Sequence, residues 1–122
     1  MFIKTLPAFF YLQATAVFIN EGACLILGPP GCGKSRLAEA LIRKGGQLIN
    51  DDLVHLERTP NGIYVHPLSK YAGILYLRGS GFRHVPYHTE LTPLKGIILL
   101  GNTRLPSEFS GPVLKNIFVL KR

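Results

Sequence analysis

The segment Gly28-Pro29-Pro30-Gly31-Cys32-Gly33 crowds three glycines and two prolines into six residues and is followed at once by Lys34 and Ser35. Proline lacks the N–H that a strand or helix needs, and glycine is costly inside either, so this stretch is a loop. Its flanks are unlike each other. Ala23–Leu27 (ACLIL) is a continuous apolar run, as expected of a strand buried on both faces. From Lys34 the period changes: Leu37, Ala38, Leu41 and Ile42 share one helical face, while Arg36, Glu39, Arg43 and Lys44 lie mostly elsewhere. Strand, glycine-rich loop and helix with the spacing G-x-x-x-x-G-K-[ST] form a phosphate cradle. Gly28, Gly31 and Gly33 let backbone N–H groups converge on phosphate oxygens. The helix N-terminus adds donors and partial positive charge. Lys34 can reach the terminal phosphates, and Ser35 can place its hydroxyl on Mg²⁺. The plainer alternative is an ordinary Gly–Pro turn before a helix.

The rest of the chain fits one α/β domain over residues 1–122. No internal repeat, linker or domain break interrupts its 122 residues, so no N-terminal regulatory domain is expected. Ala14–Ile19 reads as a strand, Asn20-Glu21-Gly22 as a turn, and Gln47–Asn50 as a second buried strand. Gly45-Gly46 stop the helix. Val54–Arg58 and Ile63–His66 flank Thr59-Pro60-Asn61-Gly62, a hairpin signal. Ser69–Leu77 is ambiguous between a short helix and an irregular crossing. Arg78-Gly79-Ser80-Gly81 reads as a loop, and Gly96–Leu100 and Asn116–Leu120 as two further strands.

With 14 Lys and Arg against 7 Asp and Glu, the net charge is +7, which suits anionic partners. No run of five or more basic residues is present, so a nucleic-acid tail is unsupported. Cys24 and Cys32 make neither a disulfide framework nor a CxxC pair and fit a reducing, cytoplasmic setting. Lys4, the apolar stretch Leu6–Leu12 and Ala14-Thr15-Ala16 have a faint secretory-signal outline, but Pro7 and Gln13 interrupt it. No apolar run approaches the ~18 residues of a membrane span.

Asp51 and Asp52 end the strand that follows the loop's helix. Adjacent acids are often solvated turns. At a strand's carboxyl end beside a phosphate loop, however, an Asp can hold Mg²⁺ or accept a hydroxyl proton during phosphoryl transfer. Cys32 is either a small filler or, near a helix N-terminus and a lysine, a thiol more acidic than usual. His84 and His88 lack the second ligand pair of a zinc site, and His55 and His66 fit ordinary strand positions. Arg78, with Gly79 and Gly81, is either a plain turn or an arginine set for phosphate.

The order of these motifs resembles the C-terminal catalytic domain of the HPr kinase/phosphorylase family. Leu25–Val54 (LILGPPGCGKSRLAEALIRKGGQLINDDLV) is similar to that family's phosphate loop, helix, R-G turn and Asp-Asp segment. Leu77–Phe82 (LRGSGF) is similar to its E-[IV]-R-G-x-G signature, and Arg104-Leu105-Pro106 to a later R-L-P. The resemblance spans roughly Tyr11 to Leu120. It implies a P-loop kinase-like α/β fold with a mixed sheet and few helices, of the HPr kinase/PEP carboxykinase kind. It also implies Mg²⁺-dependent transfer of phosphate from ATP, or from pyrophosphate, to a serine of the phosphocarrier HPr in the regulation of carbohydrate metabolism, and the reverse phosphorolysis.

Carried onto this chain, the resemblance gives the phosphates to Gly28, Gly31, Cys32, Gly33, Lys34 and Ser35. Acid/base work falls to Asp51, the metal to Ser35 and Asp52, and the signature loop to Arg78 and Gly79, with Lys34 and Arg78 joining Asp51 in catalysis. Three positions depart from the family pattern: Gln13 stands for a histidine, Tyr76 for the signature glutamate, and Pro30 for a loop serine. These departures keep two other functions open, a nucleotide-sensing module without turnover and a small P-loop kinase acting on a metabolite. Homo-oligomerisation is left open.

Overall fold

The computed structural model describes residues 8–122. The elements are β1 (Ala8–Leu12), β2 (Thr15–Ile19), β3 (Gly22–Leu27), α1 (Lys34–Arg43), β4 (Gln47–Asn50), β5 (Val54–Thr59), β6 (Gly62–His66), β7 (Ile74–Leu77), β8 (Gly81–His84), β9 (Thr92–Leu99) and β10 (Phe118–Lys121). Short 3-10 turns occupy Ser69–Tyr71 and Gly111–Asn116.

Eight strands form one sheet in the order β1-β5-β6-β9-β3-β2-β4, with β10 pairing β9 off that path. Strand β9 changes partners along its length. Thr92 and Pro93 pair antiparallel with β6, whereas residues 94–99 run parallel to β3 and residues 96–99 carry β10 parallel on the other edge. The remaining pairings in the sheet are antiparallel. This is the mixed α/β sheet with few helices that the sequence predicted.

Period-two alternation divides the core between the two faces. On β3, Leu25 and Leu27 join Ile49, Leu56, Val65, Ile97, Leu99 and Phe109 on one face. Ile26 instead joins Val17, Leu48, Leu75, Leu77 and Ala38 on the other, where Leu37, Leu41 and Ile42 of α1 pack. A strand buried on both sides must be apolar throughout, which explains the unbroken ACLIL run. Helix α1 ends where Lys44, Gly45 and Gly46 donate their N–H groups to the carbonyls of Leu41 and Ile42.

Several expectations need correction. The stretch before Gln13 holds an edge strand, β1, paired with β5. Its alternation packs the half-buried Phe10 against Phe109 (ring centroids 5.8 Å apart), a partner far away in sequence, and leaves Phe9 and Tyr11 exposed. Ala14-Thr15-Ala16 is fully buried at the start of β2, while Lys4 to Pro7 lie outside the described residues. Arg78-Gly79-Ser80 is the turn of a two-stranded hairpin, β7–β8, and Gly81 already belongs to β8. The ambiguous Ser69–Leu77 segment resolves into a 3-10 turn followed by β7. Strand β9 begins at Thr92 rather than Gly96, and the last strand begins at Phe118 rather than Asn116. No helix among the described residues is long and apolar enough to cross a membrane.

Ile97 is fully buried in the strand shared by both parts of the sheet. Ile97→Ala is expected to destabilise the domain by about 2–5 kcal/mol, the usual cost of lost burial plus a cavity. The shift in the urea unfolding midpoint measures this.

Candidate functional site

The site lies where β3 and β4 end and β2 begins. Gly28 follows the last residue of β3, and the chain then folds on itself, with Cys32 N–H donating to the Pro29 carbonyl at 3.2 Å. The thiol of Cys32 packs against Gly28, where a Cβ would collide with it. Gly31 and Gly33 have φ of +78° and +101°, in the left-handed region that other residues enter at a cost. Leu37 N–H donates to the Gly33 carbonyl, which begins α1.

The first turn of that helix holds no acidic residue and no capping side chain. Its leading N–H groups have no partner within the helix and are suited to an anion. The Lys34 ammonium lies along the loop, donating to the carbonyls of Gly28 (2.7 Å) and Pro29 (3.1 Å). An ammonium has three donors, so one remains for a phosphate oxygen.

Asp51, just past β4, is the junction of the site. Its Oδ1 accepts from Thr15 Oγ1 at 2.8 Å and from Ser35 Oγ at 3.2 Å. Its Oδ2 accepts from the backbone N–H of Tyr76 at 3.0 Å, with Ser35 Oγ at 3.4 Å. Three elements, β2, α1 and β7, thus meet on one carboxylate. Asp52 sits differently. It is exposed at φ +73°, in a tight turn closed by Leu53 N–H donating to the Asp51 carbonyl at 2.9 Å. Among the described residues its carboxylate has no hydrogen-bond or ion-pair partner. A non-glycine residue in that region stores backbone strain, a cost tolerated most often at functional sites.

The β7–β8 hairpin brings Arg78 to the loop. A Cβ on Gly31 would lie 2.5 Å from Arg78 Nη1, so the guanidinium rests on the glycine. Arg36 Nη2 donates to the Arg78 carbonyl at 3.3 Å and ties the hairpin tip to the first turn of α1. Lys34, Arg36 and Arg78 therefore surround one end of the sheet with positive charge. Tyr76 offers Asp51 only its N–H. Its ring faces outward, 5.1 Å from that of Phe82.

The structure places Gly28, Gly31, Cys32, Gly33, Lys34, Ser35, Asp51 and Arg78 together, with Asp52 at the rim. Gln13 is exposed between β1 and β2, and Arg104 is exposed beyond β9. Reading by motif missed Thr15 and Arg36. A hydroxyl between two alanines at the start of an apolar strand was a signal for the first; Arg36 looked like an ordinary solvated helix residue. The histidines lie apart from the loop. His88 stacks flat on Phe18 with ring centroids 3.9 Å apart, and His66 Nε2 lies 2.7 Å from Glu57 Oε1. His55 stacks on Tyr11, and its pKa is lowered by desolvation first and by the neighbouring His66 second, with Glu57 opposing. Cys24 is half-buried, and desolvation pushes its thiol pKa up to about 11, which disfavours the thiolate.

Among the described residues, no group of three or more His, Cys, Asp and Glu side chains could hold a metal ion by itself. Mg²⁺ does not require one, since it is usually bound by one or two carboxylates together with substrate phosphates. The Ser35 hydroxyl at the start of α1 and the exposed Asp52 carboxylate at the rim of the loop are hard oxygen donors of the kind that pattern uses.

Two measurements follow from this geometry. Lys34→Ala removes a charge-assisted contact worth about 1.5–3 kcal/mol, so calorimetric affinity for ATP or pyrophosphate should fall at least about tenfold. Cys32, folded under the loop, should be alkylated more slowly in saturating Mg-ATP, as read by mass spectrometry; equal rates would place the nucleotide elsewhere.

No family profile matches the sequence, and no curated protein sequence is similar to it. The fold is similar to a solved structure, the HPr(Ser) kinase/phosphatase from Coxiella burnetii. The TM-score is 0.71 at 24% sequence identity, and the match covers 92% of this chain and 78% of that one.

Proposed function

We propose that this chain, whose fold is HPr kinase-like, is an ATP-dependent serine kinase/phosphorylase-like domain that acts on the phosphocarrier HPr. One observation carries the proposal: Ser35 of the phosphate loop bonds the Asp51 carboxylate while Arg78 rests on Gly31 of the same loop. Three segments far apart in sequence thereby meet at one phosphate cradle. The similar structure, an HPr(Ser) kinase/phosphatase, supports the substrate assignment.

The loop N–H groups and Lys34 bind the phosphates of ATP or pyrophosphate, and Arg78 adds charge above Gly31. Ser35 and Asp52 would hold Mg²⁺, which supplies charge neutralisation on the phosphates when bound. Asp51 is the proton acceptor. A carboxylate has about four lone-pair sites, and Thr15, Ser35 and Tyr76 occupy three, so one is left for the hydroxyl of an incoming serine. A serine hydroxyl is a poor nucleophile and needs such an acceptor within hydrogen-bond reach. In the reverse direction the same carboxyl returns the proton.

Tyr76 favours a second reading, a nucleotide-sensing module without turnover, because no carboxylate stands at the signature position. Transfer of radiolabelled phosphate from ATP to HPr separates the two, with an HPr variant lacking its acceptor serine as control. Labelling of HPr but not of the control is expected; nucleotide binding without labelling would establish the sensing module. In single-turnover assays Asp51→Asn should retain ATP while transfer falls by about 10²–10⁴-fold, the usual worth of a general base. Asp52→Asn should instead shift the Mg²⁺ dependence. Transfer by Asp51→Asn at the wild-type rate would remove the acid/base role.

A further inference from the structure

The hydroxyl of Thr15 is the part of the site that no motif marks. Thr15 is fully buried at the first position of β2, between Ala14 and Ala16, which are themselves fully buried. A buried hydroxyl without a partner is costly, and an apolar residue would fill the position without that demand. Its hydrogen bond goes to Asp51 Oδ1 at 2.8 Å.

The consequence is for the orientation of the carboxylate. The terminal torsion of an aspartate is broad and roughly two-fold, so one donor does not define it. Here Thr15 holds Oδ1 from β2, and Tyr76 N–H holds Oδ2 from β7. With both oxygens held, the carboxylate plane is set before any ligand arrives. Ser35 Oγ then lies 3.2 and 3.4 Å from the two oxygens. Its proton is directed at Asp51, and its lone pairs are left for a cation on the phosphate side.

We propose that Thr15 is a positioning residue for divalent cation binding, acting through Asp51 on Ser35. This rests on the phosphotransfer reading above, and it assigns a role to a residue outside every motif. Partners that orient metal ligands are typically worth about 10–100-fold in metal affinity.

Mn²⁺ binding to the protein in the presence of ATP, followed by electron paramagnetic resonance, tests the proposal without requiring turnover. Thr15→Val is nearly isosteric and removes only the donor. It should raise the Mn²⁺ dissociation constant at least about tenfold, and Thr15→Ser, which restores the hydroxyl, should stay within about twofold of wild type. Metal-free affinity for pyrophosphate should be the same in all three, which also shows that each variant is folded. In a Ser35→Ala background, Thr15→Val should add nothing, because the two act through one carboxylate.

Wild-type Mn²⁺ affinity in Thr15→Val would overturn the proposal. So would a loss that persists in full in the Ser35→Ala background, or one that appears equally in metal-free pyrophosphate binding, since each indicates a merely structural role. If the wild-type protein binds no Mn²⁺ with ATP present, the phosphotransfer reading falls and the role of Thr15 with it.

Discussion

Strand β2 pairs antiparallel with β3 on one edge and with β4 on the other, so β3 and β4 must both end at the side of the sheet where β2, between them, begins. Three chain positions are thereby fixed together: the start of the glycine-rich loop after β3, Asp51 after β4, and Thr15 at the head of β2. The hydrogen bonds among Thr15, Asp51 and Ser35 are a local consequence of that pairing. A one-residue slip in either register would turn alternate side chains to the other face and separate them.

The chemistry of the site follows from what surrounds this junction. Lys34, Arg36 and Arg78 are close to the loop, and the first turn of α1 has no acid to neutralise them. A site built from cations, a helix N-terminus and a narrow glycine turn has its natural complement in a polyanion. The carboxylates occupy the other side. Asp51 is engaged by three donors, whereas Asp52 is held in a strained turn with its carboxylate facing solvent. Neighbouring residues of the same type have thus been given unlike surroundings.

The β7–β8 hairpin depends on the apolar face beneath it. Leu75 and Leu77 are buried among Val17, Ile26, Leu48 and α1. That packing sets the intervening Tyr76 so that its N–H meets Asp51, and it carries Arg78 out over Gly31. Arg83 Nη1 adds a contact to Glu39 Oε2 of α1 at 3.1 Å, exposed and therefore of small energetic weight. Hydrophobic burial, rather than the polar contacts, gives the hairpin its place, and the polar contacts use the place so given.

The glycine-rich loop, its flanking strand and helix, the second strand ending at Asp51-Asp52 and the β5–β6 hairpin were legible from residue order alone. Each is local: glycine and proline punctuate the chain within a few residues, and a change of hydrophobic period separates strand from helix over about ten. The resemblance of the motif order to HPr kinase/phosphorylase extended that reading to the α/β fold, which the structure bears out. Strand β1, the pairing of β7 with β8 and the early start of β9 were not legible. Phe10 packs against the core only because Phe109 folds onto it, and Thr92 is a strand residue only because Val65 pairs with it. The same holds for the site. Lys34 and Ser35 are marked by their spacing, but Thr15 becomes part of the site only when β2 lies between β3 and β4. Arg78 becomes part of it only when Leu75 and Leu77 are buried. Composition and short-range spacing mark which residues are suited to an anion; which carboxylate, hydroxyl and guanidinium lie beside them is decided by strand order and packing, because those contacts join positions whose separation along the chain carries no local signal.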